Sequence, residues 1–234
     1  MDAFQETLVE ELGNKTAFTI PLLGGIPVAE SVVVSWIVMA VLVILALALT
    51  SRLSVRSPGK IQVALESGVQ FFNGFLKENL GPHWRPFVPW LGTVALYIAL
   101  SNTIGIFGLT PPTKDISVTA ALALMSMLLI YGAQFRYNGP LGGLKKFAEP
   151  MPLLIPINLM EVAVRPLALC MRLFGNILGA FIIMEMLKFV VPAVVPAVFS
   201  LYFDLFDGLI QTVVFVFLTT LFTGEGIKEE DSPN

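Results

Sequence analysis

The amino-acid sequence predicts an all-α membrane protein with five transmembrane helices and one interfacial helix. The chain is 56% hydrophobic and only 13% charged, and its mean hydropathy of +0.81 is far above the range of soluble domains. Five apolar segments are long enough to cross a bilayer. Most basic residues between them fall in loops that can all lie on the cytoplasmic side. At 234 residues, the chain has no room for a large soluble domain.

The first span is predicted at about 31–50, an uninterrupted apolar run. Residues 1–30 precede it and begin acidic before several prolines and glycines, so we expect an outside segment. Arg52, Arg56 and Lys60 follow the run directly. Because basic flanks remain in the cytoplasm, the N-terminus is predicted to lie outside.

The next part of the chain predicts one interfacial helix and two spans. Residues 61–79 are too polar to cross the membrane but carry apolar residues at partly helical spacing, which favours a helix on the cytoplasmic surface. The second span is predicted at about 88–109 and the third at about 117–136. Lys145 and Lys146 follow in a Gly/Pro-rich loop, which places that loop in the cytoplasm.

The last two spans are predicted to form a long, strongly tilted hairpin. Residues 152–190 are too long for one upright span and too short for two, and a tilted helix accommodates that length. The final span, about 197–222, leads to a polar end, of which 226–234 is the predicted cytoplasmic tail. Residues 31–225 therefore read as a single membrane domain.

Several chemistries are excluded by what the sequence lacks. There is no phosphate-binding G-x-x-x-x-G-K-[ST] loop and no His/Cys set with metal-ligand spacing. We therefore expect no catalytic site, cofactor, metal or nucleic-acid interface in this chain. The single cysteine, Cys170, excludes an internal disulfide.

Arg172 is the most informative residue, because it places a permanent charge inside a long apolar stretch. Burial near the bilayer centre costs at least about 2.5–3.5 kcal/mol, so such a residue faces protein or water and usually has a function. On a helix, Arg165, Asn176 and Gly179 lie within about 40° of Arg172, and Gly175 lies about 60° to one side. Small residues at this spacing let a partner helix pass close to the guanidinium.

The last span carries a second polar pattern. Ser200, Asp204, Asp207 and Gln211 follow one another at i, i+4, i+7 and i+11, which places them on one stripe of a regular helix. The pattern favours a water-filled half-channel that runs from the outside to the middle of the membrane and ends near Gln211. The alternative is that the two aspartates lie near the outer headgroups or pair with an arginine of the tilted helix.

Other polar residues extend this prediction. Glu185 lies roughly opposite Arg172 and about 20 Å further along the tilted helix, where it is a candidate carboxylate of the outer path. Glu161 and Asn158 share the face of Arg172 and are candidates for a second path toward the cytoplasm. Asn102, in the second span, is a weaker candidate for that path, with an interhelical hydrogen bond as the alternative.

Four segments resemble subunit a of the F-type ATP synthases in order and spacing: PGKIQVALESGVQFFNGF, KDISVTAALAL, IPINLMEVAVRPLALCMRLFGNILG and IQTVVFVFLTTLF. The resemblance covers about residues 55–225. It implies an ion-conducting stator whose tilted hairpin packs against a rotating ring of c subunits. It also implies, as further partners, subunit b of the peripheral stalk and the rest of the complex, in a bacterial plasma membrane rather than a thylakoid-type one.

The resemblance assigns roles by matching position. Arg172 corresponds to the essential arginine of the family, Asn176 to its neighbour in the motif and Gln211 to the glutamine of the last helix that faces it. Two positions differ, since Phe181 stands where many relatives have glutamate and Asp204 where some have histidine. The resemblance therefore implies an outer half-channel with relocated carboxylates and leaves the coupling ion as H⁺ or Na⁺.

Two other functional classes stay open from the sequence. A self-contained ion channel or secondary transporter generally has more spans or inverted repeats than this chain shows. A non-conducting membrane scaffold leaves the intramembrane charges of Arg172, Asp204 and Asp207 without a purpose.

Overall fold

Five helices of the computed structural model are long and apolar enough to cross a membrane, which confirms the predicted fold class for the described part of the chain. The structure describes residues 16–20, 26–51, 53–54, 59–148, 151–190 and 199–227. The predicted basic flank at Arg52 and Arg56, the outer turn between the last two spans and the end of the C-terminal tail lie outside these residues.

The helices follow the apolar segments of the sequence closely. They are α1 (Glu30–Thr50), α2 (Lys60–Leu80), α3 (Val88–Thr103), α4 (Ile116–Lys145), α5 (Ile155–Val190) and α6 (Gly208–Ile227). Each of these six helices except α2 contributes to one of the five candidate spans of the described residues, and each predicted span overlaps one of them. Helix α6 is preceded directly by a π-helix, Leu201–Asp207.

Helix α2 matches the predicted interfacial helix at 61–79 in its bounds. Its two ends are packed differently. Leu76 and Leu80 are buried near its C-terminal end, whereas Ile61, near its N-terminal end, is 69% exposed. One end of α2 is therefore anchored in the protein, and its placement on a membrane surface stays a prediction.

The predicted Gly/Pro-rich loop after the third span is mostly helical instead. Helix α4 continues to Lys145, with a single break at Gly139, where φ is 70° and ψ is 171°. Only glycine adopts this backbone conformation readily. Pro140 then starts the next helical turn, where its missing N–H group is no loss. The loop prediction was wrong because these two residues bend the helix rather than end it.

The segment before the first span contains a small hairpin that the sequence analysis did not predict. Strand β1 (Thr16–Ile20) pairs in antiparallel register with β2 (Ile26–Ala29). Both strands are rich in β-branched residues, which favour extended backbone. A two-stranded sheet is marginally stable alone, so this hairpin is a minor addition to an otherwise helical protein.

The chain forms two compact units, each assembled from three separate stretches. The first unit comprises residues 1–44, 96–119 and 171–212, and the second comprises residues 45–95, 120–170 and 213–234. The core of the first unit contains Val34, Val38 and Ile104, packed with Leu42, Tyr97 and Leu100. The core of the second unit contains Leu76, Leu80, Phe87, Leu91, Ala133 and Ile227.

We expect Gly139→Ala to lower the free energy of unfolding by about 1–3 kcal/mol, because alanine does not tolerate this φ and ψ combination. Gly132→Ala, in the same helix, is the matched control. Gly132 has helical geometry and open space for a methyl group, so alanine is expected to be neutral or slightly stabilising there. Thermal unfolding of the purified chain in detergent measures both, and equal midpoints for the two variants would contradict the assignment.

Candidate functional site

Arg172 lies in the middle of α5 with its side chain exposed. Among the described residues it has no hydrogen bond and no ion pair. Gly175 and Gly179 follow on the same helix, and a Cβ added at either position would meet no described atom within 4 Å. The part of α5 that carries the charge is therefore open to a partner outside the described chain.

Asn176, one turn after Arg172, connects α5 to the π-helix. Its Nδ2 atom donates a hydrogen bond of 2.7 Å to Oδ2 of Asp207. Asp207 is thus held by an amide, and the alternative that it pairs with an arginine is not observed. Because an amide leaves the carboxylate's charge uncompensated, Asp207 remains able to attract a cation.

The two aspartates of the last span do not share one stripe as predicted. That prediction assumed α-helical spacing, but Leu201–Asp207 is a π-helix, which has i→i+5 hydrogen bonds and therefore a wider turn. Ser200 donates a hydrogen bond of 2.6 Å from Oγ to Oδ2 of Asp204, and the same carboxylate lies against Gly105. Asp204 and Asp207 therefore contact different neighbours within the first unit.

Gln211 is buried, with only 6% of its surface exposed. Its Nε2 donor has no hydrogen-bond partner among the described residues. An unsatisfied buried polar group costs about 1–3 kcal/mol, so such a group marks a position for an acceptor such as water or a carboxylate. That a polar path ends at Gln211 stays a prediction.

Asn102 has the role that the sequence analysis gave as the alternative, an interhelical hydrogen bond. It is 1% exposed, its Nδ2 donates to the carbonyl oxygen of Gly208 at 3.2 Å, and its Oδ1 accepts from Thr113 Oγ1 at 2.7 Å. Asn158 and Glu161, with which it was grouped as a path, belong to the second unit. The grouping of Asn102 with these two residues stays a prediction.

Position 181 and its surroundings differ from the pattern of the resembling family. The Lys114 ammonium lies 3.5 Å from the centre of the Phe181 ring, which is a cation–π contact. Glu185 lies within α5, but its side chain is outside the described part of the chain. Its role as a carboxylate of the outer path therefore stays a prediction.

The second unit contains an open cavity of about 140 Å³. It includes both residues that were predicted for a second path, Asn158 and Glu161. Charged and polar side chains dominate its wall, which is formed by Tyr131, Gln134, Lys146, Phe147, Asn158, Glu161, Arg165, Glu225 and Gly226. The composition suits water and small ions better than an apolar ligand.

Arg165 is the centre of this cavity's charges. Its Nη2 atom lies 2.5 Å from Oε2 of Glu161 and 3.2 Å from Oε2 of Glu225, and the guanidinium carbon lies 4.7 Å from the centre of the Phe222 ring. The two glutamate side chains are nearly half exposed. Ion pairs this exposed stabilise a fold by about 0–1 kcal/mol at most, so stability alone does not account for the cluster.

Glu225 is the site residue that the sequence analysis missed. It was counted with the polar end of the chain, but α6 continues past it to Ile227. Two glycines flank it and mark close packing: an added Cβ at Gly224 would lie 2.7 Å from the carbonyl oxygen of Asn79, and one at Gly226 would lie 3.4 Å from Gln134 Cβ. In the sequence, these two glycines are the feature that could have indicated that the helix continues past Glu225 and packs against other elements of the second unit.

Comparison with known proteins gives a consistent result. The model of the ATP synthase A chain family matches residues 32–224. The chain is 32% identical over 220 residues to ATP synthase subunit a of Legionella pneumophila (strain Corby), which covers 92% of each chain. It is 35% identical over 201 residues to ATP synthase subunit a of Moorella thermoacetica, which covers 86% of this chain and 91% of the relative.

We expect Thr113→Val to lower the free energy of unfolding by about 1–3 kcal/mol, because it leaves the buried Oδ1 of Asn102 without its donor. Thr93→Val is the matched control, since Thr93 is exposed and its hydroxyl bonds only to the carbonyl oxygen of Pro89 in its own helix. That control is expected to change stability by less than about 0.5 kcal/mol. Thermal unfolding in detergent compares them, and an equal effect of both would contradict the role of Asn102.

Proposed function

Since this chain belongs to the ATP synthase A chain family, the ion-translocating stator subunits of the membrane sector, we propose that Arg172 couples its ion flow to rotation of a c-subunit ring. The observation that carries this proposal is the exposed guanidinium without a partner among the described residues. A fixed charge in an apolar helix requires water or a counter-charge. A carboxylate on a passing rotor helix supplies one.

The open glycines support the same proposal. Gly175 and Gly179 have no described atom over their α-carbons, and small residues at this spacing allow close approach of another helix in lipid. A rotor carboxylate near Arg172 is favoured in its ionised form by the opposite charge. It therefore releases its ion before it passes the arginine and binds another one afterwards.

Two separate polar sets provide the two half-channels in this proposal. Asp204, Asp207, Asn176 and Gln211 of the first unit conduct from the outside, with Glu185 as a further candidate. The fixed charge of Arg172 repels a cation that would cross directly between the paths, so net ion movement requires rotation. Each unit charge that crosses contributes about 2.3 kcal/mol per 100 mV.

The second path uses the cavity around Arg165 and opens to the cytoplasm. Two carboxylates, Glu161 and Glu225, share one guanidinium, and with the Lys146 ammonium in the same wall the charges of the cavity sum to zero. In this proposal the two carboxylates supply the oxygen atoms that bind the ion along the path. Asn158 belongs to the same cavity and adds a polar wall. Lys145, at the end of α4, and Lys146, directly after it, give this side the basic character of a cytoplasmic surface.

The partners and the orientation follow from the same proposal. The chain works beside a c-subunit ring and subunit b of the peripheral stalk, in a bacterial plasma membrane, with its N-terminus outside and its C-terminus in the cytoplasm. ATP is made on a soluble part of the complex that this chain does not contain. The chain itself supplies no catalytic group.

We expect Arg172→Ala to reduce ATP-driven acidification of inverted membrane vesicles at least tenfold in the assembled complex, while ATP hydrolysis persists. Arg136→Ala is the control, because Arg136 is also exposed but lies near the end of its predicted span. Na⁺ and an uncoupler are added in parallel, and Na⁺-dependent proton uptake that the uncoupler stimulates identifies Na⁺ as the coupling ion. Normal pumping by Arg172→Ala would refute the proposal. Ion flux through the purified chain alone would favour a self-contained channel.

We expect Glu225→Gln and Glu161→Gln each to slow ATP synthesis driven by an imposed ion gradient about two- to tenfold, because each removes one of the two carboxylates of the cavity and leaves its wall with a net positive charge that repels a cation. Glu225→Asp keeps the charge and is expected to retain most of the rate. Glu78→Gln, at an exposed position of α2, controls for a general loss of surface charge. If Glu225→Gln and Glu78→Gln give the same rate of ATP synthesis, Glu225 does not belong to the cytoplasmic path.

A further inference from the structure

We propose that Gly105 is a positioning residue for ion transfer, because the space over its α-carbon is the place where the Asp204 carboxylate has to lie. In the functional scheme above, Asp204 is an ion-exchanging group of the outer path, and this inference rests on that scheme. The new element is that the position of the carboxylate is defined by Gly105, on the segment after α3. An aspartate introduced at position 105 is therefore expected to take over the ion-exchanging role of Asp204 when residue 204 has no carboxylate.

Two glycines bring the segment around Asn102–Gly105 close to the last span within the first unit. A Cβ added to Gly208 would lie 2.8 Å from Asn102 Cβ, and a Cβ added to Gly105 would lie 2.9 Å from Asp204 Oδ1. A side chain at Gly208 would force these elements apart, whereas a side chain at Gly105 would displace the Asp204 carboxylate. The contact is locked by the hydrogen bond from Asn102 Nδ2 to the carbonyl oxygen of Gly208, at the junction between the π-helix and α6.

The group that lies against Gly105 is the carboxylate of Asp204, not a methylene group or backbone. The three nearest atoms to an added Cβ are all from the Asp204 carboxyl group: Oδ1 at 2.9 Å, Cγ at 3.0 Å and Oδ2 at 3.2 Å. Packing that served only helix approach would bring backbone or a methylene group to this place. Gly105 therefore makes room for a carboxylate.

This carboxylate keeps capacity for a ligand. Among the described residues, Ser200 Oγ is the one hydrogen-bond donor to Asp204, and it binds Oδ2. A carboxylate accepts about four hydrogen bonds, so Oδ1, the oxygen nearest to Gly105, is available to a proton, a sodium ion or water. The π-helix keeps this site separate from Asp207, which Asn176 holds.

The test compares four variants in the assembled complex: Gly105→Ala, Asp204→Gly, Gly105→Asp, and the double variant Gly105→Asp/Asp204→Gly. ATP-driven pumping by inverted vesicles is normalised to the amount of chain in the complex. We expect each single variant to lose pumping at least fivefold and the double variant to recover at least a third of the wild-type rate. Gly92→Ala, in α3, is the control, since its added Cβ would make only an ordinary contact of 3.7 Å with Phe72.

The relocated carboxylate separates a functional role from a structural one. The double variant contains the same bulk at position 105 as Gly105→Asp, so recovery cannot come from better packing at that residue alone. A double variant no better than Asp204→Gly, normal pumping by Asp204→Gly, or Gly105→Ala that pumps like Gly92→Ala would overturn the inference. Arg172→Ala is measured in parallel: if it still blocks pumping, the coupling role of Arg172 stands whatever the outcome at Gly105.

Discussion

The charge of Arg172 is the constraint on which the rest of this structure depends. A guanidinium stays protonated under all conditions that a cell offers, so the protein cannot neutralise it by burial. The described chain gives it neither a hydrogen bond nor an ion pair, and it leaves the nearby glycines of α5 uncovered. In lipid, a permanent charge on an apolar helix requires water or a counter-charge, and the described residues supply no counter-charge.

The carboxylates of the protein show how local partners separate structural from exchangeable charge. Asp115 is buried and accepts hydrogen bonds from Ser31 Oγ at 2.6 Å and from the Ser117 N–H at 2.8 Å, and it thereby caps the start of α4. Asp204 and Asp207 are only partly buried, and each has one hydrogen-bond donor from a neutral side chain among the described residues. Asp115 is held in place by several donors, whereas Asp204 and Asp207, the ion-exchanging carboxylates of the proposed scheme, each keep acceptor sites that no described donor occupies.

Most of the fold could be predicted from the sequence, because the length of an apolar segment determines whether it can cross a bilayer. Arg172 could be identified as a candidate site residue because it is a charged residue within a long apolar segment. The site was predicted less well, and the reasons are physical. The period of the last span was assumed to be α-helical, but a π-helix at Leu201–Asp207 changes which residues face together. Glu225 was placed beyond the end of the last span because composition does not show where a helix ends. Asn102 illustrates a third limit, since an amide that bonds between helices has the same sequence pattern as one that lines a path.

The π-helix has a consequence for how this part of the chain tolerates change. Its side chains are largely exposed, including Leu201, Tyr202, Leu205 and Phe206, so their identity is only weakly constrained by packing within the chain. Their number is constrained strongly. Removal of one residue would turn everything before the gap by about 100° relative to α6 and move the Asp204 carboxylate away from Gly105. For these exposed residues, the number of residues between Ser200 and Gly208 is therefore constrained more strongly than their identity.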